Sequence, residues 1–482
     1  MKIISIHRVR KSDIGSFMPF SVGAVILAAG EGKRLKLREP KPLAPCLDKR
    51  LVDFSILEVE KFFNNNKING CITAVIGHQR EKVQSYIAER YSNVKYAIQE
   101  KQVGTGDALK SYFNSSADTL KYDYTLVLCA DTPLITAHEM EQLFVEINSK
   151  NFDGVAAVFD EKNPYGYGRI VRGEKGFKIV EEKDADEVVK KITEVNSGVY
   201  ILKTSYVVEH LKSITSNNKA GEFYLTDVFG QDRNVEALSF QSAKPFLGVN
   251  TLLQLEEVES LLRDKIKANH RDNGVRFIDF KNCYIDTDVK IGFGTVIYPG
   301  VHLSGKTIIG EDVIIENGAI IKDSKIENKA KVLAYSVLES ATLRIKSQAG
   351  PFARLRPGAD LGEESKIGNF VEIKKAVLEK GVKVSHLSYV GDAFIGEESN
   401  IGCGFITCNY DGANKHVTKI GKNCFIGSDV QTIAPVEIGD DCFVAAASTV
   451  THSVPNGGFA ISRGKQITKE AMASKFIKKK NK

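Results

Sequence analysis

The chain has 482 residues, 43% hydrophobic and 26% charged, which is ordinary globular composition, and at about 150 residues per domain its length suits two to four domains. The formal charge of +6 belongs to the ends, because residues 1–20 carry a net +3 and residues 473–482 a net +5, leaving −2 elsewhere; a basic face for nucleic acid is therefore excluded. No apolar run approaches the ~20 residues of a membrane span, the first residues lack the apolar core of a secretory signal, and eight cysteines without a Cys-x-x-Cys pair suit free thiols in a reducing cytoplasm.

From residue 22 to 250, short β-rich runs alternate with longer amphipathic ones. Ala24–Leu27, Gly70–Ile76 and Tyr124–Cys129 read as buried parallel strands, and Leu51–Phe63 and Glu81–Arg90 as helices. That alternation predicts a doubly wound, Rossmann-like α/β sheet. The first strand runs into Leu27-Ala28-Ala29-Gly30-Glu31-Gly32-Lys33-Arg34, which is neither a dinucleotide fingerprint nor a P-loop. Such a turn still offers backbone N–H groups to phosphates, although a plain strand–helix connection accounts for it equally well. Lys41 stands between Pro40 and Pro42, and a lysine so held has a fixed direction suited to a phosphate; the plainer reading is a solvated loop lysine. Asp131 follows the third strand in Cys129-Ala130-Asp131-Thr132-Pro133-Leu134, at the carboxyl end where α/β sheets bind ligands. Mg²⁺ commonly takes one or two protein oxygens plus substrate phosphates, but an isolated aspartate there is by default a turn or helix cap.

Leu252–Ala268 carries Leu252, Leu253, Leu255, Val258, Leu261, Leu262 and Ile266 between charged residues, the pattern of a helix joining two domains. After residue 280 the period becomes six, with Ile291, Ile297, Leu303, Ile309, Ile315 and Ile321 in strict register. The pattern resumes at Ile326, Val332 and Leu338, then at Leu361, Ile367 and Ile373, and again at Ile420 and Ile426, with Thr432 filling one slot. Six residues suit one short strand plus a corner, so these aliphatics are core; three such units close a coil, and ~190 residues at ~18 per coil make roughly ten coils of a parallel β-helix. The expected organisation is a basic extension at 1–21, an α/β domain at 22–250, a linker helix at 251–274, a β-helix at 275–470 and a basic tail at 471–482.

Four segments break the repeat: Gly350–Gly358 with Arg354 and Arg356, Val371–Lys375, Ser385–Asp392 around His386, and Thr407–Lys415, which suits a loop leaving the coil. Each alone could be a surface feature. Taken in order with Gln99, Val103–Gly106, Tyr167–Ile170, Ile179–Ala185, Glu194–Gly198, Gly221–Asp227 and Gly248–Asn250, they resemble the bifunctional N-acetylglucosamine-1-phosphate uridyltransferase/glucosamine-1-phosphate acetyltransferase family over residues 22–470.

The resemblance implies an α/β nucleotidyltransferase domain followed by an all-β, left-handed parallel β-helix of hexapeptide repeats. It implies that Leu27, Ala28, Ala29, Gly30, Lys41, Gln99, Gly104 and Thr105 meet UTP, and that Gly168, Glu181 and Asn196 hold N-acetylglucosamine. Asp131 and Asn250 are then ligands of Mg²⁺, while Arg34 and Lys41 offset the repulsion between two anionic substrates. In the second half it implies His386 as general base, since an amine must lose a proton to attack a thioester and an imidazole is suited to taking it. Arg356 and Lys374 bind the phosphate of glucosamine 1-phosphate, and Tyr389, Asn400, Asn409 and Tyr410 position the sugar. Cys403, Asn409, Tyr410, Ser428, Ala446 and Arg463 line the acetyl-CoA site. The family further implies a cytoplasmic homotrimer assembled through the β-helix, with acetyl sites between subunits, small-molecule substrates only, and no membrane insertion.

The chain departs from the family pattern at Cys129-Ala130, where Tyr-Gly is common, at Asp48-Lys49-Arg50, where Gly-Lys-Pro is common, and at Cys403, where alanine or glycine is usual. Two other readings remain: a nucleotidyltransferase whose β-helix serves assembly alone, and a trimeric sugar-nucleotide-binding scaffold with inactive sites.

Overall fold

A computed structural model describes residues 20–477; most of the basic extension and part of the basic tail lie outside the described residues. The chain forms two units, Met1–Leu262 and Arg263–Lys482, and the division falls within helix Leu252–Asp272.

The first unit is organised by one nine-stranded sheet. Its main path runs Val235–Phe240, Gly154–Asp160, Glu194–Lys203, Tyr124–Cys129, Ser21–Ala28, Asn69–Ile76 and Val94–Ile98. The last four are parallel to one another, as expected for strands buried on both faces. Glu194–Lys203 is antiparallel to both of its neighbours on the path, so the sheet is mixed. Helices Leu51–Asn66 and Ala137–Lys150 turn Val52, Ile56, Val59, Met140 and Leu143 onto one face, where they share a core with Ala24, Ile26, Leu126 and Leu128. Leu109 and Tyr112 of helix Thr105–Ser115 cover the other face against Val25 and Val127. A hairpin of Arg169–Arg172 and Phe177–Val180 joins the sheet through the pair Val195 and Arg169.

Helix Leu252–Asp272 buries Leu255, Val258 and Leu262 against Leu35, Leu51 and Val249. Leu252 and Leu253 differ from the amphipathic expectation: they are 52% and 75% exposed at the helix's first turn.

In the second unit the six-residue period becomes successive short strands joined by corners. Eleven of them, from Arg276–Phe277 to Phe459–Ala460, stack in parallel on one face. The inward residues Ile297, Ile315, Val332, Ala349, Ile367, Val384, Ile401, Ile426 and Val444 fall directly over one another in this stack and are buried. Thr432 is fully buried and shares a hydrogen bond with the Thr418 hydroxyl at 3.2 Å, so a polar side chain fits the aliphatic slot. Ile291 is only partly buried. Tight corners explain the glycines after the aliphatics: a Cβ on Gly368 would stand 1.9 Å from the Ser385 carbonyl oxygen of the next coil.

Candidate active sites

Two sites emerge, one in each unit. The first lies at the carboxyl ends of strands Ser21–Ala28 and Tyr124–Cys129, where a cavity of about 280 Å³ opens. Leu27, Ala28, Ala29, Gly30, Lys41, Gln99, Gly104, Thr105, Cys129, Ala130 and Asp131 line it. Thus all the residues expected to meet UTP share one cavity, together with Gln102 and Glu222, which sequence reasoning did not single out.

Local structure explains the placing of Lys41. It opens the short turn Lys41–Leu43 after Pro40, and Gly32, at φ +76°, leaves room for it, since a Cβ there would come within 2.8 Å of the lysine's own Cβ. The Lys41 ammonium pairs with the Asp131 carboxylate and donates to the Asn250 amide oxygen at 2.8 Å. Asn250 reaches this point because Val249 N–H donates to the Asp131 carbonyl at 2.9 Å. Arg34, which is exposed, donates to the same Asn250 oxygen at 3.0 Å. Arg34, Lys41, Asp131 and Asn250 therefore form one cluster, although 216 residues separate its ends in sequence. Among the described residues no cluster of three or more His, Cys, Asp or Glu side chains could hold a metal. A carboxylate and an amide oxygen converging on one ammonium are nevertheless a donor set that fits Mg²⁺, which takes few protein oxygens.

Gly168, Glu181 and Asn196 are absent from the cavity's lining but adjoin one another. Gly168 precedes and Glu181 follows the hairpin whose pair Arg169 and Val180 closes it, and Asn196 N–H donates to the Gly168 carbonyl at 2.9 Å. A Cβ on Gly168 would stand 3.5 Å from a Glu181 carboxylate oxygen and 3.6 Å from Asn196 Cβ. Asn196 donates to the Tyr200 hydroxyl at 2.7 Å, and Thr226 donates to Glu181 Oε1 at 3.0 Å. Burial pushes the Glu181 carboxyl above its usual range, with Asp227, Asp184 and Glu222 adding to the rise. Gln99 is buried and spends its amide protons on the Gly104 carbonyl at 3.0 Å and Asp107 at 2.9 Å, shaping the turn that carries Gly104 and Thr105. Burial raises the Cys129 thiol to about 12, so it stays protonated and unreactive.

The second site runs along a corner of the β-helix. Leu387 N–H donates to the Asn369 carbonyl, Gly404 to that of Leu387, Asp429 to that of Cys403, and Ala447 to that of Ser428, all within 3.1 Å. The corner therefore stacks Asn369, His386, Cys403, Ser428 and Ala446 in successive coils, and Arg463 reaches back to the Ala446 carbonyl at 3.0 Å. His386 is exposed, and its Nδ1 meets Asn369 Oδ1 at 2.9 Å. An amide oxygen only accepts, so Nδ1 donates to it, and the neutral tautomer this contact selects carries its lone pair on Nε2. Asn369 was not anticipated; only the strand register reveals it.

On a neighbouring face, Arg356 pairs with Glu372 at 2.9 Å. Glu372 lies in register with Tyr389, and Lys374 with Gly391. Lys374 faces a further ammonium, Lys415, and that neighbour, with Arg356, holds its pKa below the usual lysine range. Three cations outnumber the acids beside them, Glu372 and Asp392, an excess of positive charge that suits a multiply charged anion. Asn409, which is buried, donates to Asp392 at 2.5 Å, and Tyr410 donates to the Gly412 carbonyl, closing the loop that carries Lys415. Asn400 lies half-buried on the outer face between Lys383 and Phe425, apart from this loop in register.

The family model for nucleotidyl transferases matches residues 23–242. The model for bacterial transferase hexapeptide (six repeats) matches residues 288–323, and that for the hexapeptide repeat of succinyl-transferase matches residues 417–452. The Bifunctional protein GlmU of Staphylococcus haemolyticus (strain JCSC1435) is 41% identical over 458 residues, which cover 94% of this chain and 99% of that protein. The chain belongs to the GlmU family. The GlmU of Geotalea uraniireducens (strain Rf4) is likewise 41% identical over 457 residues, 93% of this chain and 98% of that protein. A GlmU-family chain is a bifunctional transferase, with nucleotidyl transfer in its first half and acetyl transfer in the hexapeptide half. Among the described residues no helix is long and apolar enough to cross a membrane.

Proposed function

We propose that the chain makes UDP-N-acetylglucosamine in two steps. Acetyl transfer from acetyl-CoA to glucosamine 1-phosphate occurs on the β-helix, and uridylyl transfer from UTP to the acetylated product, releasing pyrophosphate, occurs in the first unit. The observation that carries this reading is the coexistence of both clusters, complete at their charged positions, in one chain: Lys41 with Asp131 and Asn250, and His386 with Asn369.

In acetyl transfer, Arg356, Lys374 and Lys415 bind the sugar's phosphate and Tyr389 and Asn400 orient its ring. His386 Nε2 removes a proton from the sugar's amine as the nitrogen attacks the thioester carbonyl, and the thiolate of CoA leaves. Asn369 keeps the imidazole turned and in the tautomer that can accept. Cys403, Ser428 and Ala446 form a wall of small side chains along which the cofactor lies, with Asn409 and Tyr410 at its edge and Arg463 toward its phosphates. In uridylyl transfer, a phosphate oxygen of the sugar attacks the α-phosphate of UTP and pyrophosphate departs. Arg34 and Lys41 neutralise the phosphates, and the catalytic power is chiefly positioning and electrostatic stabilisation. Asp131 and Asn250 would hold Mg²⁺, which when bound supplies further charge neutralisation at the phosphates. Gln99, Gly104 and Thr105 shape the base pocket beside Leu27, Ala28, Ala29 and Gly30, while Gly168, Glu181 and Asn196 receive the sugar.

A linker helix at 251–274 between the two catalytic domains belongs to the same reading. So do a cytoplasmic location and a trimer assembled through the β-helix. Support for association comes from the exposed, stacked rings of Tyr335, Phe352 and Phe370 along one corner, an apolar edge that association would remove from water.

The test is one incubation with glucosamine 1-phosphate, acetyl-CoA, UTP and Mg²⁺, following free CoA and pyrophosphate separately. Release of both is expected. His386→Ala should stop CoA release from glucosamine 1-phosphate yet spare pyrophosphate release from pre-acetylated sugar, and Asp131→Ala should do the reverse. Pyrophosphate from pre-acetylated sugar alone, with no CoA released by the unaltered chain, would leave the β-helix a purely structural module.

A further inference from the structure

One short strap, Gly221–Asp227, touches both halves of the uridylyl-transfer site. Its backbone clamps the turn expected to read the base: Phe223 N–H donates to the Val103 carbonyl at 2.8 Å, and Gly106 N–H donates to the Phe223 carbonyl at 2.7 Å. Leu225 N–H donates to the Thr105 hydroxyl at 3.1 Å. Gly104 is required for this approach, since at φ +123° a Cβ would stand 2.4 Å from the Phe223 oxygen. Asn218 braces the start of the strap, donating to the Glu222 carbonyl at 2.6 Å and accepting from its N–H at 3.2 Å.

The next side chain along the strap serves the other substrate's residue. Thr226 is only 4% exposed, and its hydroxyl donates to Glu181 Oε1 at 3.0 Å. Glu181 needs such a tether. The groups facing it are Asp184 on its own segment, Glu222, Tyr224 and Asp227 on the strap, and Tyr200 on strand Glu194–Lys203. None of these is a cation, and the Thr226 hydroxyl is the donor that works against their repulsion.

We propose that Thr226 is a positioning residue for uridylyl transfer, holding the Glu181 carboxylate toward the sugar while the strap's backbone holds the base-reading turn. This deepens the proposed function and rests on its reading of Glu181 as a sugar ligand. A single element thereby sets the spacing between the nucleotide and sugar subsites. Because the threonine hydroxyl donates to the sugar side, its loss should separate the two substrates kinetically.

The experiment compares Thr226→Val, Thr226→Ser and Glu181→Gln in the full-length chain, measuring uridylyl transfer with each substrate varied and acetyl transfer as an internal control. Thr226→Val is expected to raise KM for N-acetylglucosamine 1-phosphate about tenfold, the loss of one hydrogen bond to a charged group, with KM for UTP and acetyl transfer unchanged. It should also move the acid limb of kcat/KM for the sugar phosphate to higher pH, because the hydroxyl that stabilised the ionised carboxylate is gone. Thr226→Ser should restore both. If Glu181→Gln raises that KM while Thr226→Val changes neither KM nor pH profile, or raises both KM values alike without moving the pH limb, the positioning role is overturned. If Glu181→Gln leaves KM for the sugar phosphate unchanged, the reading of Glu181 itself fails, whatever Thr226→Val does.

Discussion

On the proposed function, His386 and Glu181 show two ways in which a single side chain is prepared for its task. His386 is exposed, and what marks it out is its partner: Asn369 fixes the tautomer from one coil away. Asn369→Ala should therefore lower acetyl transfer by about tenfold to a hundredfold, part of the usual contribution of a general base, with KM for glucosamine 1-phosphate little changed; steady-state kinetics measured by CoA release would read it. Glu181 is prepared by burial instead, at a cost in stability. Its folded-state pKa is raised, chiefly by burial and then by Asp227, Asp184 and Glu222, so its contribution to stability is greatest below the unfolded carboxyl range near pH ~4.3. That contribution is lost as pH rises through the higher folded value. Glu181→Gln removes the penalty, so it should raise the melting temperature of the first unit by about 2–4 °C at pH 7.5 for each kcal/mol recovered, with the gain fading toward pH 4. Calorimetry at the two pH values checks this.

At the scale of elements, glycines and strand register do most of the placing. Gly104→Ala would force a Cβ against the Phe223 carbonyl and demand φ +123° of a residue that avoids it, so the turn proposed to read the base must move. The expected result is a rise of tenfold or more in KM for UTP, or a loss of binding measured by calorimetry, with the acetyl-transfer rate unaltered. The period of six made the β-helix and its aliphatic core legible in the sequence, because each repeat buries one inward residue whatever its neighbours do. The corner column was legible only in part. His386 and Cys403 lie 17 residues apart, one coil, but Cys403 and Ser428 lie 25 apart because the loop bearing Asn409, Tyr410 and Lys415 interrupts that coil. Asn369, Lys415 and Thr226 escaped because their meaning lies in pairings across coils and segments that no local pattern encodes. In the first unit the antiparallel strand Glu194–Lys203 was hidden for the same reason: its apolar run looks like that of a parallel strand, and only its two neighbours define its direction.

At the scale of the molecule, the net positive charge lies in the terminal segments, in sequence away from both candidate sites. With the terminal segments set aside the chain carries −2, yet the substrates of the proposed function are polyanions, so on that proposal binding rests on placed cations: Arg34 and Lys41 in one unit, Arg356, Lys374, Lys415 and Arg463 in the other. The two activities also depend on separate cores, since the aliphatic stack of the β-helix and the clusters about the sheet share no residue. A coil of the β-helix meets mainly the coils before and after it, so a cavity there should act locally. Ile367 is fully buried between Ala349 and Val384 and lies in the strand that carries Asn369, while Val384 lies in the strand that carries His386. Ile367→Ala should cost about 2–5 kcal/mol, lowering the melting transition of the second unit and leaving that of the first in place. On stepwise heating, acetyl transfer should then fail well before uridylyl transfer, with the gap wider than in the unaltered chain. Simultaneous loss of both activities in that variant would mean that the two units unfold as one.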